Sequence, residues 1–235
     1  MNLWVLVANM TIESGKLMVL VGASRSGKTK KALQMLKPHK LVLIWDVEGQ
    51  YENIDYRAKS LGALWQMLRQ TAGKRAVIAY TGKLSEFNGF CELAFWWVRA
   101  NSVAGKKCAV VFEETSDVTN PGKAPEHYGI ILRRGLKYGA DLLAISQRPA
   151  ESDKTAIGNA SMVHVCRLQL SRDKKYMADM TGLNVKDLEA LRADQDLSLF
   201  DYITVDTGRG EYQKGRLSFR GDKAIFKTIG VKVSL

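Results

Sequence analysis

The chain has 235 residues, enough for one large α/β domain with a substantial core or for two small domains. Its 46% hydrophobic and 25% charged residues are ordinary for a globular protein, but 35 Lys and Arg against 24 Asp and Glu leave a formal charge of +11. This surplus favours a polyanionic partner, either nucleic acid or an anionic membrane surface. A basic protein without such a partner is the alternative.

Cysteine and histidine usage argues against a metal or disulfide scaffold. The three cysteines and three histidines show no metal-binding spacing, so we expect no disulfide, no zinc site and a reducing cytosol. No apolar stretch reaches the ~18 to 20 residues that a membrane span requires. The first ten residues lack the basic start and the small-residue cleavage site of a signal peptide.

Apolar runs alternate with helical patterns along the chain. We predict strands at 3–7, 16–21, 40–45, 75–80, 108–112, 141–146 and 162–170. We predict helices directly after Gly27 and at 61–70, 90–101, 126–138, 172–180 and 186–192. This alternation is typical of a parallel sheet with helices on both faces, and the continuously apolar runs are typical of strands buried on both faces.

The C-terminal part differs from the rest. Residues 197–220 indicate two strands joined by a glycine-containing turn, an antiparallel addition at the edge of the sheet. Residues 207–235 carry seven Lys or Arg and two acids, which predicts either an edge strand protected by lysines or a nucleic-acid contact. We expect a single domain over 1–235, with a core at about 16–170 and C-terminal helices and edge strands at about 171–235.

The segment VLVGASRSGKTKKALQML joins a predicted strand to a predicted helix and fits the phosphate-loop pattern G-x-x-x-x-G-K-[ST]. In that pattern the glycines allow close approach, and backbone N–H groups at the helix start surround phosphates. Lysine reaches the β- and γ-phosphates, and threonine holds Mg²⁺. The predicted phosphate-binding residues are Gly22, Ala23, Ser24, Arg25, Ser26, Gly27, Lys28 and Thr29. A glycine-rich turn that binds nothing is the alternative.

Two carboxylates end the strand in KKCAVVFEETSDV. Phosphate-loop enzymes need one acid to orient Mg²⁺ and another to activate the attacking water. Adjacent strand residues point to opposite faces, so neighbouring acids can divide these tasks. We assign the metal role to Glu113 and the general-base role to Glu114; two exposed acids at the start of a loop are the alternative.

The segment LLAISQRPAESDKT ends an apolar strand abruptly at Gln147, Arg148 and Pro149. Proline stops strands, and that is sufficient reason for the strand to end. The second interpretation is that the strand holds Gln147 at its tip to sense a ligand.

A resemblance to a family supports the second interpretation. A phosphate loop, an apolar strand with two terminal acids and a strand ending in SQRP, in this order, resemble the FtsK–HerA superfamily of ring-forming, DNA-pumping ATPases. ILRRGLKYGADLLAISQRP and VLIWDVEGQYE (Asp46, Gly49, Tyr51) are similar to further stretches of that family. The resemblance covers roughly residues 16–170. It implies a RecA-like (ASCE) P-loop NTPase fold, with a mostly parallel α/β sheet and ATP and Mg²⁺ as ligands.

The resemblance also implies roles for individual residues. The strand ending in Gln147 would lie between the phosphate-loop strand and the acidic strand, with Gln147 beside the γ-phosphate and the attacking water. Glu113 departs from the aspartate of most relatives, which affects the Mg²⁺ geometry. Leu136 stands where HerA-like proteins often have an arginine. Our candidates for the arginine that acts on the neighbouring subunit are therefore Arg133 and Arg134, with a solvated basic helix face as the alternative.

At 235 residues the chain looks like the minimal genome-packaging ATPases of membrane-containing icosahedral viruses and phages. This implies a homo-oligomeric ring of five or six subunits around double-stranded DNA. It further implies contacts with a capsid vertex or small viral membrane proteins, and a location in the host cytoplasm or at a packaging vertex of the virion. Lys123 lies in a candidate pore loop.

Three alternatives stay open. One is a HerA-like plasmid or chromosomal translocase or helicase that works with a nuclease. Another is filamentous-phage assembly of the Zot type, which the missing membrane span disfavours. The third is a non-catalytic, nucleotide-switched binding module, which both acids and Gln147 disfavour.

Overall fold

The computed structural model describes residues 13–230 and 233–234, so the strand predicted at 3–7 lies outside the described residues. In chain order the strands are β1 (Leu17–Val21), β2 (Leu41–Trp45), β3 (Tyr56–Ala58), β4 (Ala76–Tyr80), β5 (Ala109–Phe112), β6 (Asp141–Ser146), β7 (Met162–Cys166), β8 (Ala193–Asp194), β9 (Leu199–Asp206), β10 (Glu211–Arg220), β11 (Lys223–Thr228) and β12 (Val233–Ser234). The helices are α1 (Lys28–Leu36), α2 (Leu61–Thr71), α3 (Phe87–Val103), α4 (Glu126–Arg134), α5 (Thr155–Asn159), α6 (Ser171–Thr181) and α7 (Val185–Glu189).

The chain folds into two compact units that interleave along the sequence. Within the described residues, the first unit contains 13–16, 36–113 and 125–143. The second contains 17–35, 114–124 and 144–230 together with 233–234. The strand β6 contributes its first three residues to the first unit and its last three to the second.

The first unit is built on parallel strands in the order β5-β2-β4-β3. Every residue of β2 and β5 is buried, which explains why these strands are continuously apolar rather than alternating. Trp45 at the end of β2 stacks on Tyr80 with ring centroids 5.0 Å apart and an interplanar angle of 8°, and Phe90 of α3 packs against both rings. Aromatic pairs of this kind contribute about 0.5–1.5 kcal/mol each beyond their buried area, so they fix α3 against the strands.

The second unit combines parallel and antiparallel pairing. Strand β1 pairs in parallel with β7, and β7, β9, β10 and β11 then follow as antiparallel neighbours. The short strands β8 and β12 pair with β9 and β10. The prediction of a mostly parallel sheet with an antiparallel C-terminal edge is thereby confirmed.

The strand that carries Gln147 at its tip has the predicted neighbours, since β6 has β1 on one side and β5 on the other. In the second unit Gly22 N donates to Ser146 O at 3.2 Å, and in the first Asp141 N donates to Cys108 O at 2.9 Å. This order places the loop after β1 next to the tip of β6.

Several element predictions were incomplete. The helix predicted over 126–138 ends at Arg134, and 135–138 form a 3₁₀ turn that closes at Gly139 in a left-handed conformation. The sequence analysis omitted β3, α5 and β11, which are short or polar and lack a clear apolar period. Among residues 13–230 and 233–234, no helix combines the length and apolarity needed to cross a bilayer.

Candidate active site

The predicted phosphate loop joins β1 to α1 in the second unit, as the sequence pattern required. Gly22 and Gly27 have φ angles of +156° and +99°, and Arg25 has a φ of +55°. A Cβ built on Gly22 would lie 2.6 Å from Ser26 Oγ and 2.7 Å from Cys166 Cβ. A side chain at position 22 would therefore displace the loop from the strands beneath it.

Lys28 is buried inside this loop, with 6% of its surface exposed. Its ammonium donates to Gly22 O at 2.8 Å and to Ala23 O at 3.0 Å. The ammonium stays solvated by backbone carbonyls, as a buried charge must be. Lys28 is also the first residue of α1, where the helix dipole favours an anion.

The loop is held from two sides. Gly22 N donates to Ser146 O at the tip of β6, and Ala23 N donates to Arg167 O directly after β7. These bonds are 3.2 and 2.8 Å long. Because both strands are buried, the loop conformation is set by the sheet rather than by the loop sequence alone.

Glu114 and Gln147 are brought into direct contact. The side-chain amide of Gln147 donates to Glu114 Oε1 at 2.6 Å, and the backbone N–H of Gln147 donates to Glu114 Oε2 at 3.2 Å. Gln147 thus binds the carboxylate with both of its amide groups. The predicted general base, Glu114, and the predicted sensor, Gln147, are therefore a hydrogen-bonded pair at the tip of β6.

The carboxyl group of Glu114 is half-buried, and burial raises its pKa above the ordinary range of glutamate. The hydrogen bonds from Gln147 and the charge of Lys28 oppose this rise. A raised pKa brings the carboxylate closer to the basicity that proton abstraction near neutral pH requires. Lys28 and Glu114 both lie in the second unit.

The backbone of Glu114 is in the left-handed region, with φ +45° and ψ +56°. Such a conformation costs a non-glycine residue of order 1–3 kcal/mol and persists only where the surroundings impose it. Here Thr115 Oγ1 donates to Ile145 O at 3.3 Å, and Thr119 Oγ1 donates to Thr115 O at 2.7 Å. The first bond attaches the loop after β5 to the end of β6, and the second lies within that loop.

Glu113 lies in the first unit, where it is 9% exposed. It accepts a hydrogen bond from the Tyr51 hydroxyl at 2.5 Å. Tyr51 is placed by a turn in which Asp46 accepts the N–H groups of Gln50 and Tyr51 at 2.8 and 3.1 Å. The D-x-x-G-x-Y stretch therefore has a structural role: it carries a tyrosine to the carboxylate predicted to bind metal.

Arg133 and Arg134 lie in the last turn of α4, and both side chains are exposed. A Cβ on Gly129 would be 2.9 Å from an Arg133 guanidinium nitrogen, so Arg133 lies along its own helix. Exposure is what a residue acting on a neighbouring subunit needs. The assignment of that role to either arginine stays a prediction.

Sequence reasoning missed three contributors to the loop and its surroundings. Arg167 contributes only a backbone carbonyl, and the Gln195 amide donates to Arg25 O at 2.8 Å from 170 positions away. The Thr115 hydroxyl donates to the carbonyl of Ile145 on β6 and so holds the loop that bears Glu114. The position of Thr115 directly after the predicted acids Glu113 and Glu114 could have identified it from the sequence. No local sequence signal identifies Arg167 or Gln195.

The residues present fit a nucleoside triphosphate with Mg²⁺. The cradle before α1 excludes a Cβ at Gly22, and the ammonium of Lys28 and the helix start supply positive potential for phosphate. Hydroxyl and carboxylate oxygens, such as those of Thr29 and Glu113, are the donors that Mg²⁺ prefers.

The chain is similar in sequence to a phage protein. No family model matches the sequence. Protein P9 of Pseudoalteromonas phage PM2 is 31% identical over 176 residues, which cover 74% of this chain and 78% of P9.

Solved structures of a viral protein share the fold. The genome packaging NTPase B204 of Sulfolobus turreted icosahedral virus 2 in complex with AMPPCP gives a TM-score of 0.64 at 15% identity, covering 91% of this chain and 97% of that one. Its complex with ATP-gammaS gives 0.64 at 16% identity, covering 91% and 96%. B204, the DNA-packaging ATPase from Sulfolobus turreted icosahedral virus, gives 0.58 at 12% identity, covering 92% and 98%. The expected P-loop NTPase fold, and the resemblance to minimal viral packaging ATPases at the level of fold, are confirmed.

Proposed function

The chain belongs to the family of protein P9 of Pseudoalteromonas phage PM2, and on that premise we propose that it is an ATPase that drives double-stranded DNA into a viral procapsid. One observation carries the catalytic part. A buried lysine in a phosphate loop stands in the same compact unit as a carboxylate of raised pKa, and the glutamine at a strand tip holds that carboxylate.

The proposed chemistry follows from these positions. The loop and Lys28 bind the β- and γ-phosphates of ATP, and Glu114 accepts a proton from the attacking water. Gln147 holds the Glu114 carboxylate through two hydrogen bonds and so fixes the direction in which it accepts that proton. We infer that Gln147 lies beside the γ-phosphate, so that loss of this group changes the charge next to the glutamine and is transmitted to β6.

Of the two predicted Mg²⁺ ligands, Thr29 belongs to the second unit together with the phosphate loop, and bound Mg²⁺ would neutralise charge that develops on the phosphate oxygens. Glu113 remains the other predicted ligand. Glu113 is kept in place by the Tyr51 hydroxyl. Tyr51 acts here as a positioning residue, because its hydrogen bond restricts the longer glutamate side chain that stands where aspartate is more usual in the FtsK–HerA pattern.

The polyanion partner is supported by a line of cations in the first unit, which we call the basic edge: Lys40, Arg75 and Lys107. Lys40 and Arg75 directly precede β2 and β4, and Lys107 stands two residues before β5. Since β2 pairs with both other strands, the three cations lie on neighbouring strands about 4.8 Å apart. All three are exposed.

Further exposed lysines adjoin the basic edge, namely Lys37, Lys74 and Lys106. Glu13 pairs with Lys107 at 2.6 Å, and the charge of the whole chain is +11. The phosphates of duplex DNA are the polyanion that a genome-packaging function implies, and backbone contacts suit a protein that must move any sequence.

We extend the proposal to a ring of five or six subunits with Arg133 or Arg134 acting on the neighbouring site.

ATP hydrolysis measured with and without duplex DNA tests the proposed function. We expect hydrolysis by the full chain to be stimulated by duplex DNA and abolished in Lys28→Ala, because the loop then loses its buried ammonium. Lys175→Ala, which removes an exposed lysine of α6, is the matched control and should hydrolyse ATP as the unmodified chain does. Equal rates in Lys28→Ala and Lys175→Ala would contradict the proposal.

A further inference from the structure

A recess of about 400 Å³ lies in the first unit, at the amino ends of β2 and β5. Lys40 and Lys107 of the basic edge line it, together with Lys106. Glu113 follows the carboxyl end of β5, so the recess is at the other end of this strand from the predicted metal ligand. The proposed hydrolysis of ATP uses none of these three lysines.

We propose that this recess binds a phosphate dianion, either free inorganic phosphate or the terminal phosphomonoester of a nucleic-acid strand. Both sources offer the same chemistry, a compact group of oxygens with a charge of about −1.5 to −2 at pH 7. A phosphodiester within a DNA backbone carries only about one negative charge and is the weaker ligand. The site requires no nucleotide at the phosphate loop, so it goes beyond the proposed function.

The charge of the lining favours such an anion. The described residues that line the recess include three lysines and one carboxylate, that of Asp141, which leaves a charge of +2 even when His39 is neutral. This charge matches that of a phosphate dianion, and a concave surface concentrates the field of the charges that line it. A lysine ammonium is a compact point charge with three donors, which suits the closely spaced oxygens of phosphate.

Asp141 is the group of the lining that opposes an anion, and its carboxylate is already engaged. Oδ2 lies 3.0 Å from His39 Nε2, and Oδ1 accepts the backbone N–H of Lys16 at 2.8 Å. His39 is well buried, with 9% of its side chain exposed. The negative charge is therefore compensated within the wall of the recess, and the lysines remain for a ligand.

Lys107 has a competing partner in Glu13, whose Oε2 lies 2.6 Å from the lysine ammonium. Both side chains are exposed, Glu13 by 81% and Lys107 by 45%. Exposed ion pairs contribute little stability because water screens them and both side chains lose freedom. A phosphate that several lysines bind together can therefore displace the single carboxylate of Glu13.

The backbone that carries the lysine pair is held in a fixed conformation. Asn101, fully buried near the end of α3, accepts the N–H of Lys106 with its carbonyl at 2.9 Å. Gly105 turns the chain with a φ of +69°, and its N–H donates to Ser102 O at 2.9 Å. Asn101 Oδ1 also accepts the N–H of Gly73 at 2.7 Å. A preset backbone lowers the entropic cost of ordering the lysines around an anion.

The lining also favours a phosphate over a nucleotide base. Its apolar residues are Pro38 and Leu41, and the described residues around the recess include no Phe, Tyr or Trp. A base would therefore find no large aromatic ring on which to stack. The volume of the recess leaves room for the sugar that carries a terminal phosphate.

Titration with inorganic phosphate, followed by calorimetry, tests the site. The full chain with Lys28→Ala is the background, because it lacks the ammonium of the phosphate loop. We expect this chain to bind phosphate, and Lys106→Gln with Lys107→Gln in the same background to raise the Kd about 10- to 100-fold, since two charged donors are lost. The matched control is Lys59→Gln with Lys137→Gln, two exposed lysines of the first unit outside the recess, which should leave the Kd unchanged.

Fluorescence anisotropy with two duplexes of one sequence, ending in 5′-phosphate or in 5′-hydroxyl groups, distinguishes the two sources. Tighter binding of the phosphorylated duplex, with the difference lost in Lys106→Gln with Lys107→Gln, would assign the recess to a strand terminus. Equal binding of the two duplexes by a chain that binds inorganic phosphate in the recess would assign it to the free anion.

Two results would overturn the inference. One is that Lys28→Ala binds no phosphate while the unmodified chain binds both duplexes equally. The other is that the two lysine pairs weaken phosphate binding to the same extent, because any surface charge would then serve. Neither result bears on ATP hydrolysis. An unmodified chain that binds phosphate in the recess but hydrolyses no ATP would overturn the proposed function alone.

Discussion

Glu114 is the residue in which conformation, hydrogen bonding and charge all depart from the ordinary. Its left-handed backbone would be costly in a loop free to relax, and it is maintained by bonds to the end of β6. Its carboxylate has two donors from one glutamine and a lysine nearby. Strain held in place by neighbouring structure is common where catalysis requires a preset geometry.

Replacement of Glu114 by glutamine tests the general-base role. Glu114→Gln keeps an oxygen that accepts from the Gln147 N–H but cannot accept a proton, so we expect normal AMPPCP binding and a kcat about 10²- to 10⁴-fold lower. Asp196→Asn, at an exposed acid of the loop before β9, serves as the control. A kcat for Glu114→Gln within twofold of the unmodified chain would remove Glu114 from the mechanism.

The pH dependence of hydrolysis provides an independent check on the same carboxyl group. A general base must be ionised, so activity should rise with increasing pH through the pKa of Glu114 and fall as pH drops below it. Because burial raises that pKa, the acidic limb of the kcat profile should lie above the ordinary range of a glutamate. The residual activity of Glu114→Gln should lack this limb; a limb in the same position would assign it to another group.

At the scale of elements, the site depends on a loop fixed between two strand ends. The loop after β1 is bonded to the tip of β6 and to the residue after β7, and Gly22 permits this approach because it has no Cβ. The tip of β6 is in turn bonded to the loop that bears Glu114. A movement of β6 therefore affects both the phosphate cradle and the general base, Glu114.

Gly22→Ala should disrupt this arrangement. The added Cβ would lie within 2.7 Å of Ser26 Oγ and Cys166 Cβ, in a backbone conformation that side chains rarely adopt. We expect a loss of about 1–3 kcal/mol in the free energy of unfolding and weaker AMPPCP binding. Gly158→Ala is the control, since nothing lies within 4 Å of its Cβ position in α5. Chemical denaturation and calorimetry measure these two quantities. Equal stability and equal AMPPCP binding in Gly22→Ala and Gly158→Ala would contradict this prediction.

At the scale of the whole molecule, the positive charge is distributed unevenly. The basic edge and the lysines beside it occupy the amino ends of parallel strands in the first unit, and a second group of cations lies on the C-terminal strands of the second. Both groups are exposed to solvent in part, so charge alone does not select the DNA contact. The salt dependence of binding can identify the DNA contact, because each cation that neutralises a phosphate releases a counterion and so contributes to the slope of log K against log salt.

Charge reversal distinguishes the two groups. Lys40→Glu with Arg75→Glu should weaken binding of duplex DNA and lower the slope of log K against log salt by about 2, since about one counterion is released per cation. The matched pair Lys223→Glu with Lys227→Glu on β11 should change neither. The reverse result would assign the contact to the C-terminal strands, and loss in neither pair would leave DNA binding to other residues.

The sequence alone determined the local chemistry. The glycine spacing, lysine and threonine of the phosphate loop, the buried strands and the two acids are short-range patterns, because a parallel strand buried on both faces is apolar throughout and a phosphate cradle needs glycine at fixed places. The order of β1, β6 and β5 was predicted only through a family resemblance, and the direct hydrogen bonding of Gln147 to Glu114 was not predicted.

The tertiary structure decided how distant residues combine. It brought Tyr51 to Glu113 across 62 positions, Gln195 to Arg25 across 170, and the phenylalanines of β9 and β10 to the start of α1. It also lined up the cations of the basic edge through strand register. Contacts of this kind leave no periodic trace in the sequence, since they depend on which strands pair and on where each chain segment returns to the sheet.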